Sequence, residues 1–334
     1  MMNVGVIGFG YWGPNIVRNF NANKELKVTK ICDMQDKNLE KAKSQYPEVE
    51  LSKDFRMITA ATDVDIVAIV TPVFTHFEIA RDALLNGKHI FIEKPFTSTA
   101  AQAEELINIA ERKNRIIMVD HTFLFTSSVK KIKQLVQDNE LGRILYFDST
   151  RINLGLFQHD INVVWDLAPH DLSIMNYLFN SEPEAVAAHG IDHFGRKLHN
   201  IAYLTAYFKD NMIAHFNLNW LSPVKVRYTL IGGNKKMLLW NDLESDEKIK
   251  IYDKGVDVST TDGVYNLLVA YRSGDMYSPK LEPIEALKVE TNYFVESIKG
   301  NVKPFNDGEA GLKVVKLLEA FDKSLTSEGK VVRV

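Results

Sequence analysis

Cysteine and long apolar runs are the two features that this chain most clearly lacks. Among its 334 residues only Cys32 is a cysteine, so no disulfide can form within the chain and a reducing compartment is expected. No stretch approaches the roughly 18 apolar residues of a membrane span. The opening "MMNVGVIGFG" has neither the basic segment nor the long apolar segment of a signal peptide. We therefore predict a cytoplasmic protein with no membrane partner.

An excess of charge of one sign is also missing. The formal net charge is −3, from 40 Lys and Arg against 43 Asp and Glu, which gives no reason to expect a nucleic acid as partner. Apolar residues make up 46% of the chain and charged residues 25%, as in an ordinary globular protein. At this length two domains are expected rather than one.

A glycine-rich stretch, "GFGYWG", follows the short apolar run 4–7. Gly8, Gly10 and Gly13 fit the pattern G-x-G-x-x-G, and a helix is predicted to begin beside Pro14. The next apolar run ends at Asp33, about 20 residues further on, where dinucleotide-binding units carry an acid for the ribose hydroxyls. Such a loop lets the backbone approach a pyrophosphate, which the helix N-terminus attracts. The alternative is a glycine-rich turn followed by an acid that caps the next helix.

The residues around this acid predict NAD rather than NADP as the cofactor. Asp33 would repel the 2′-phosphate of NADP. The next three residues, Met34, Gln35 and Asp36, supply no arginine that could receive that phosphate. We therefore expect NAD to be preferred.

Strand and helix patterns alternate through the first part of the chain. Apolar runs at 26–32, 65–70, 88–92 and 116–119 are separated by helical patterns, including 75–86 and 99–114. This alternation predicts a parallel sheet, in which ligands bind beyond the carboxyl ends of the strands. The residues that follow the predicted strands are Asp33, Thr71-Pro72, Glu93-Lys94 and Asp120-His121. We therefore predict an α/β Rossmann dinucleotide-binding domain over residues 1–121.

The second part of the chain is richer in strands. Residues 213–220 alternate between apolar and polar, and "KDN" at 209–211 and "GGN" at 232–234 are typical of hairpin turns. We predict an α+β domain over residues 122–334 with a large, mostly antiparallel sheet, and a border near 121–126. Helices around 165–179, 284–299 and 309–325 are expected to cover one face of that sheet. The stretch 271–279 is predicted to be a loop that either contacts substrate or simply lies on the surface.

The stretch "WDLAPHDL", residues 165–172, could carry proton chemistry. Asp166 suits a helix N-cap and Pro169 is tolerated in a first turn. Asp166 and His170 are four residues apart and so share a helix face. A carboxylate beside a histidine orients the imidazole, as a general base for a hydroxyl proton requires. The alternative is a capping acid with a histidine on the helix surface.

No metal site is predicted. His159, His189, His193 and His199 are scattered, and the spacing of His189 and His193 would suit a metal only on a helix, whereas their surroundings resemble a strand and a loop.

Together, "GFGYWG", "FIEKPF" and "WDLAPHD" resemble the Gfo/Idh/MocA family, the glucose–fructose oxidoreductase and inositol dehydrogenase group. The resemblance implies that Lys94 touches the reacting hydroxyl near the nicotinamide, that Asp166 and His170 handle the proton, and that the peptide before Pro95 is often cis. It also implies a set of residues that line the cofactor: Gly8, Phe9, Gly10, Tyr11, Trp12, Gly13, Asp33, Thr71, Pro72, His76, Glu93, Lys94 and His121.

Two further stretches, "DHTFLF" and "STRINLGLFQHDINVVWDLAPHD", look most like the branch that oxidises nucleotide-linked N-acetylhexosamines at C3. A diphosphate tail would need cations in the second domain, and Arg151, Lys225, Arg227 and Arg272 are available. Two alternatives stay open. One is the same chemistry on a free sugar or a cyclitol such as inositol, and the other is a cofactor-binding regulator without catalysis. The presence of Lys94, Asp166 and His170 argues against the regulator, because a protein that only senses the cofactor needs no base.

The second domain is also expected to associate with copies of itself. The predicted helices suffice to cover only one face of its sheet, and large open sheets rarely face water unpaired. Members of the family that the chain resembles commonly form such assemblies, so a homodimer or homotetramer is expected. The alternative is a sheet face that meets water, because the polar side chains on one side of 213–219 would suit a solvated face equally well.

Overall fold

The computed structural model describes residues 1–155, 160–179, 181–260 and 267–334, with the backbone only for 256–260 and 267–272. His159 and the side chain of Arg272 lie outside this description. The chain forms two compact units, Met1–Phe125 with Ile284–Lys316 and Thr126–Pro283 with Leu317–Val334. The first break falls in the expected border region. The compact units differ from the contiguous division into 1–121 and 122–334 because residues 284–316 pack with the first unit.

The first unit contains a six-stranded sheet in the order β3-β2-β1-β4-β5-β6. Each pair of neighbouring strands runs parallel, which confirms the predicted Rossmann sheet. The strand order reverses between β1 and β4, and ligands bind beyond the carboxyl ends at such a point. The strands are β1 Met2–Ile7, β2 Leu26–Cys32, β3 Glu50–Ser52, β4 Ile66–Ile69, β5 His89–Glu93 and β6 Ile117–Asp120.

Helices connect these strands, and local signals set their ends. Thr99 caps one helix by accepting a hydrogen bond from the Gln102 N–H at 3.2 Å, and Asn114 ends it in the left-handed conformation with φ 51°. The predicted helix over 99–114 is thereby confirmed. The connecting helices are α1 Gly13–Ala22, α2 Asp36–Gln45, α3 Arg56–Thr59, α4 Val73–Leu85 and α5 Ala100–Lys113, and a short 3-10 helix Thr122–Phe125 ends this part of the chain.

The second unit contains a nine-stranded sheet in the order β14-β13-β12-β11-β7-β10-β9-β8-β15. Strands β7 and β10 run parallel, and the other pairings described are antiparallel, as predicted. The strands are β7 Ile144–Leu154, β8 Ala185–Ile191, β9 Ile201–Tyr207, β10 Ile213–Asn219, β11 Leu221–Gly233, β12 Met237–Asn241, β13 Ile249–Thr260, β14 Leu267–Tyr277 and β15 Val332–Arg333.

Four helices complete the two units. They are α6 Ser127–Gln137, α7 Val163–Leu178, α8 Ala286–Ile298 and α9 Gly308–Thr326. Helix α7 packs on strands β7, β9 and β10. None of the helices in the described ranges combines the length and the apolar character that a membrane crossing requires.

Helix α8 corrects one prediction, because it does not cover the second sheet. Its buried Phe294 lies 5.6 Å, between ring centroids, from Phe91 of β5. Phe91 in turn lies 5.2 Å from Phe20 of α1. The apolar face of α8 therefore belongs to the core of the first unit.

The prediction of a loop over 271–279 is also corrected, since most of this stretch is strand. Strand β14 extends to Tyr277 and pairs with β13. Residues 273–277 are all exposed, so both faces of this part of the strand meet water and no alternation marks it in the sequence.

Candidate functional site

The loop after β1 gives its three glycines three different surroundings. Gly8 has φ +98°, and a Cβ there would lie 2.4 Å from the carbonyl oxygen of Val70. A Cβ on Gly13 would lie 2.5 Å from the carbonyl oxygen of Gly8, so this glycine lets α1 begin against the end of β1. A Cβ on Gly10 would meet nothing within 4 Å. Packing within the chain does not require a glycine at that position, whereas a pyrophosphate that approaches the backbone would.

Asp33 is tied to this loop. Its Oδ2 accepts a hydrogen bond from the Phe9 N–H at 2.7 Å and another from Asn38 Nδ2 at 3.1 Å. Its Oδ1 accepts one from the Gln35 N–H at 2.8 Å. The N-cap position of α2 belongs to Gln35 rather than to Asp33. The carboxylate is therefore held beside the glycine loop, where the sequence predicts an acceptor for the ribose hydroxyls.

The three aromatic residues of the loop differ in exposure. Phe9 is fully buried and packs edge-on against Tyr46. Trp12 donates a hydrogen bond from Nε1 to Asp120 Oδ2 at 3.1 Å, which links the loop to the end of β6. Tyr11 is 89% exposed. Of the three predicted contacts, Tyr11 thus presents its ring most openly to an incoming molecule.

The turns that follow β4 and β5 are joined by His76, which is fully buried. Its Nε2 lies 2.8 Å from the carbonyl oxygen of Thr71, and its Nδ1 lies 2.9 Å from that of Pro95. Burial lowers the pKa of His76. His76 therefore supports the two turns from behind, while Thr71 is half-buried and Pro72 exposed. The predicted contact between His76 and the cofactor stays a prediction.

Glu93 is the last residue of β5, and Lys94 follows it at the carboxyl end of the sheet. The Lys94–Pro95 peptide is cis, as the resemblance implies. The Lys94 N–H donates a hydrogen bond to Glu93 Oε2 at 3.1 Å. Burial first, and then the charge of Asp120, raise the pKa of Glu93 well above its usual range, while Lys94 acts in the opposite direction.

His121, directly after β6, is only 2% exposed. Neither of its ring nitrogens has a hydrogen-bond partner in the part of the chain that the structure describes. Burial lowers the pKa of His121 to about 4. Of the charged neighbours, Asp120 raises this pKa and Lys94 lowers it. A buried polar group without a partner is costly, so a ligand that bonds to this imidazole would be stabilised. This observation supports the prediction that His121 lines a binding site.

In the second unit, α7 carries Asp166 and His170 four residues apart on one helix. The helix begins earlier than predicted, because Asn162 is its N-cap and accepts hydrogen bonds from the N–H groups of Val164 and Trp165 at 3.0 and 3.1 Å. The prediction of Asp166 as the N-cap is therefore wrong. Pro169 likewise lies inside the helix rather than in its first turn.

The surroundings of Asp166 favour a positioned carboxylate over a surface one. Asp166 Oδ2 accepts a hydrogen bond from Trp220 Nε1 at 3.0 Å, and Trp220 is only 1% exposed. Asp166 and His170 are both half-buried. No sequence signal connected Trp220 to Asp166, which lies 54 residues away.

Two of the cations considered for a diphosphate tail are engaged elsewhere. Arg151 is buried and binds Asp171 in a bidentate pair, at 2.9 and 2.7 Å. Arg227 forms an ion pair with Asp242 at 3.2 Å. Lys225 is exposed. Among the described residues of this set, Lys225 is thus the cation most open to a ligand.

Within the described ranges, His, Cys, Asp and Glu side chains form no group of three or more that could hold a metal ion.

Known proteins match both units of the chain. A model described as "Oxidoreductase family, NAD-binding Rossmann fold" matches residues 2–121, and a model of the GFO/IDH/MocA C-terminal domain matches residues 129–238. UDP-N-acetylglucosamine 3-dehydrogenase of Acidithiobacillus ferrooxidans is 31% identical over 193 residues, which are 57% of this chain and 58% of that enzyme. The chain thus aligns with little more than half of this relative's length.

Solved structures share the fold over nearly the whole chain. A structure of UDP-N-acetylglucosamine 3-dehydrogenase from Acidithiobacillus ferrooxidans has a TM-score of 0.80 at 23% identity and covers 98% of both chains. Scyllo-inositol dehydrogenase from Lactobacillus casei, with bound NAD(H) and scyllo-inositol, has a TM-score of 0.80 at 20% identity and covers 100% of this chain and 99% of that one. At these identities the likeness concerns the fold.

Proposed function

Because this chain belongs to the Gfo/Idh/MocA oxidoreductase family, we propose that it is an NAD-dependent enzyme that oxidises a sugar hydroxyl. The carbon we propose is C3 of a nucleotide-linked N-acetylhexosamine. The observation that carries the proposal is Lys94, which follows β5 at the same edge of the sheet as the glycine loop and Thr71. A cation at that edge suits the oxygen of a hydroxyl that loses its proton.

The residues of the chain divide the chemistry among them. NAD, when bound, supplies the hydride acceptor. Gly8, Gly10 and Gly13 provide the loop for its pyrophosphate, and Asp33 accepts from its ribose. In our proposal Lys94 stabilises the developing oxyanion, and His170, oriented by Asp166, removes the hydroxyl proton. The opposite assignment, with Lys94 as the base, is the alternative that variants of Lys94 test.

The substrate class is proposed from two sources. One is the likeness to the Acidithiobacillus ferrooxidans enzyme that acts on UDP-N-acetylglucosamine. The other is the pair of stretches around residues 120–125 and 149–171, which resemble that branch. Against a diphosphate tail stands the engagement of Arg151 and Arg227 in ion pairs. Among the cations of this set whose side chains the structure describes, Lys225 is the proposed donor, together with backbone N–H groups.

A substrate panel tests this proposal. Purified protein is incubated with NAD or NADP and with UDP-N-acetylglucosamine, UDP-N-acetylgalactosamine, glucose or inositol, and absorbance of the reduced nicotinamide is followed. We expect turnover with NAD and a nucleotide sugar, and weaker use of NADP because Asp33 repels its 2′-phosphate. Turnover only with glucose or inositol would support the free-sugar alternative, and binding of NAD without turnover on any substrate would support a regulator.

We further propose that the protein is a homodimer or homotetramer that associates through the outer face of the second sheet. Tyr203, Tyr207 and Ile213 lie exposed on this face, at 48%, 39% and 41%. Tyr207 and Ile213 are direct neighbours across β9 and β10, so they form an apolar patch on an open sheet.

Light scattering at micromolar concentration should give at least twice the chain mass of 38.0 kDa. Ile213→Lys should shift the protein toward the monomer because it buries a charge in the patch. Lys27→Glu, an exposed change on β2 of the other unit, should leave the assembly intact. A wild-type protein of monomer mass would contradict the proposal.

A further inference from the structure

Three acidic side chains meet in the first unit behind the carboxyl ends of β5 and β6. Glu93 and Asp120 are direct neighbours, as the last pair in the register of the two strands. Glu290 comes from α8 and is fully buried, and Asp120 is only 2% exposed. We call Glu93, Asp120 and Glu290 the carboxyl cluster. Neither the glycine loop nor the proposed hydroxyl chemistry explains why a third acid is buried here.

Asp120 is the member of the cluster whose two side-chain oxygens both accept hydrogen bonds from side chains. Its Oδ2 accepts the hydrogen bond from Trp12 Nε1 at 3.1 Å, and its Oδ1 accepts a short one from the Thr122 hydroxyl. Both of its oxygens therefore face donors.

Glu290 has fewer donors. Its Oε1 accepts a hydrogen bond from Asn306 Nδ2 at 2.9 Å, and Asn306 is itself anchored to the backbone of Val119 in β6. Its Oε2 is buried without a donor in the described part of the chain, and the charged neighbours of this carboxyl group are Asp120 and Glu93. Burial first, and then the Asp120 carboxyl group, raise the pKa of Glu290, while the Thr122 side chain acts in the opposite direction. A proton on Glu290 would let its carboxyl group donate a hydrogen bond to the acceptor Asp120.

The charged groups that act most on Glu93 and Glu290 are mainly acidic. Lys94 is the cation that acts on Glu93. His121 is kept neutral by burial near neutral pH. Burial, and then the neighbouring acids, raise the pKa of both Glu93 and Glu290 well above their usual range. Like charges this close cannot all ionise without a large cost.

We propose that the carboxyl cluster is a proton store, in which Glu290 holds a proton at neutral pH and a proton leaves to solvent when a cation binds at the carboxyl ends of β5 and β6. The proposal rests on the proposed function, because the cation is the oxidised nicotinamide of NAD. Dinucleotides in such folds lie beyond those strand ends. Through Trp12, the cluster is also bonded to the loop that would hold the pyrophosphate.

Proton storage would couple the binding of NAD to the release of a proton. A positive charge beside the cluster stabilises its ionised form, so binding of NAD releases a proton. By linkage, the affinity for NAD then rises with pH, by up to about tenfold per pH unit, while the folded protein still holds that proton. NADH carries no positive charge on its ring, so its affinity should not follow this slope.

Infrared spectroscopy of the cofactor-free protein near pH 7 tests the stored proton directly. We expect a carbonyl band of a protonated carboxyl group in the wild type, and its loss or shift in Glu290→Gln. Glutamine keeps the shape of a protonated glutamic acid, so the fold should survive. Glu296→Gln is the matched control on the same helix, because hydrogen bonds from Asn301 and Lys299 lower the pKa of Glu296 and its carboxylate should add nothing to that band.

Calorimetry in two buffers of different ionisation enthalpy then measures protons released when NAD binds. We expect release in the wild type and in Glu296→Gln, less than half as much in Glu290→Gln, and none on binding of NADH. Glu93→Gln is a second variant of the cluster and should also alter the release. A wild type with no protonated-carboxyl band, or one that binds NAD without releasing a proton, would overturn the proton store.

The infrared result separates this proposal from the proposed function. A protein that shows the band and the proton release but oxidises no sugar keeps the proton store and loses the sugar chemistry. A protein that oxidises a nucleotide sugar but has no such band keeps the enzyme and loses the proton store.

Discussion

Lys94→Ala and His170→Ala should each lower kcat for the best sugar substrate by roughly 10²-fold or more. Hydride leaves the sugar carbon readily only if the hydroxyl proton departs as the carbonyl forms. A positioned general base contributes about 10²–10⁴-fold to such a step. A fixed cation at the oxygen is worth a comparable factor. NAD should still bind to both variants, since the glycine loop and Asp33 are unchanged.

The two variants should not behave independently. If Lys94 and His170 act on the same hydroxyl, the double variant should be little slower than the slower single one, because groups that act as a unit have strongly non-additive effects. Effects that multiply fully would contradict a shared hydroxyl. Near-normal turnover of either single variant would contradict the proposed site itself.

Further variants separate the two assignments of the base. Lys94→Arg keeps a positive charge, but arginine stays protonated and cannot act as a base. If Lys94 supplies charge, this variant should retain more activity than Lys94→Ala. If Lys94 is the base, the two should be equally slow. Lys27→Ala and His189→Ala are matched controls at exposed positions and should leave kcat unchanged.

The first unit could be predicted from sequence because its signals are local. Strand β4 is buried along its whole length, so its apolar run is continuous, and β5 is apolar and buried from Ile90 to Ile92. Each strand end then places a polar residue at the same edge of the sheet. The positions of Lys94 and Asp33 follow from that geometry. What joins these ends, such as the contact of His76 with two carbonyl oxygens, depends on packing and leaves no pattern in the sequence.

Strand β7 was absent from the sequence-based prediction, although it lies within the second sheet between β11 and β10. Ser149 and Arg151 are buried, while Asp148 and Thr150 are partly exposed. Polar residues thus occupy both faces of the strand, and the alternation that marks a half-buried strand is missing. Arg151 explains part of this missing alternation, because its buried ion pair with Asp171 takes the place of an apolar contact.

Helix α8 shows a different limit. Its amphipathic pattern correctly predicts a helix, but an apolar stripe does not say which sheet it covers. The partner is decided by the contact between Phe294 and Phe91, which are far apart in sequence. The same contact brings Glu290 into the carboxyl cluster, so the cluster could not be found without the structure.

Breaking the ion pair between Arg151 and Asp171 should cause a large loss in the free energy of unfolding. The two side chains are 7% and 3% exposed, and two hydrogen bonds join them at 2.9 and 2.7 Å. Asp171→Asn removes one charge and leaves the guanidinium buried without its counter-ion. Breaking a buried pair in this way costs about 3–5 kcal/mol. We expect the free energy of unfolding, measured in urea, to fall by that amount.

A matched surface pair provides the control. Arg56 and Glu78 are 2.9 Å apart, but their side chains are 60% and 65% exposed. Glu78→Gln should change the free energy of unfolding by no more than about 1 kcal/mol, as is usual for exposed pairs. A loss in Asp171→Asn as small as that in Glu78→Gln would contradict the importance of the buried pair.

Replacing both partners separates stability from positioning. In Arg151→Met with Asp171→Leu no charge is left buried, and such double replacements are often neutral or stabilising by about 1–4 kcal/mol. The pair, however, anchors α7 to β7 one residue after His170. If it positions that histidine, the double variant should be as stable as the wild type yet have a lower kcat, with the KM for the sugar little changed. A stable double variant with normal kcat would show that the pair serves the fold and not the proposed base.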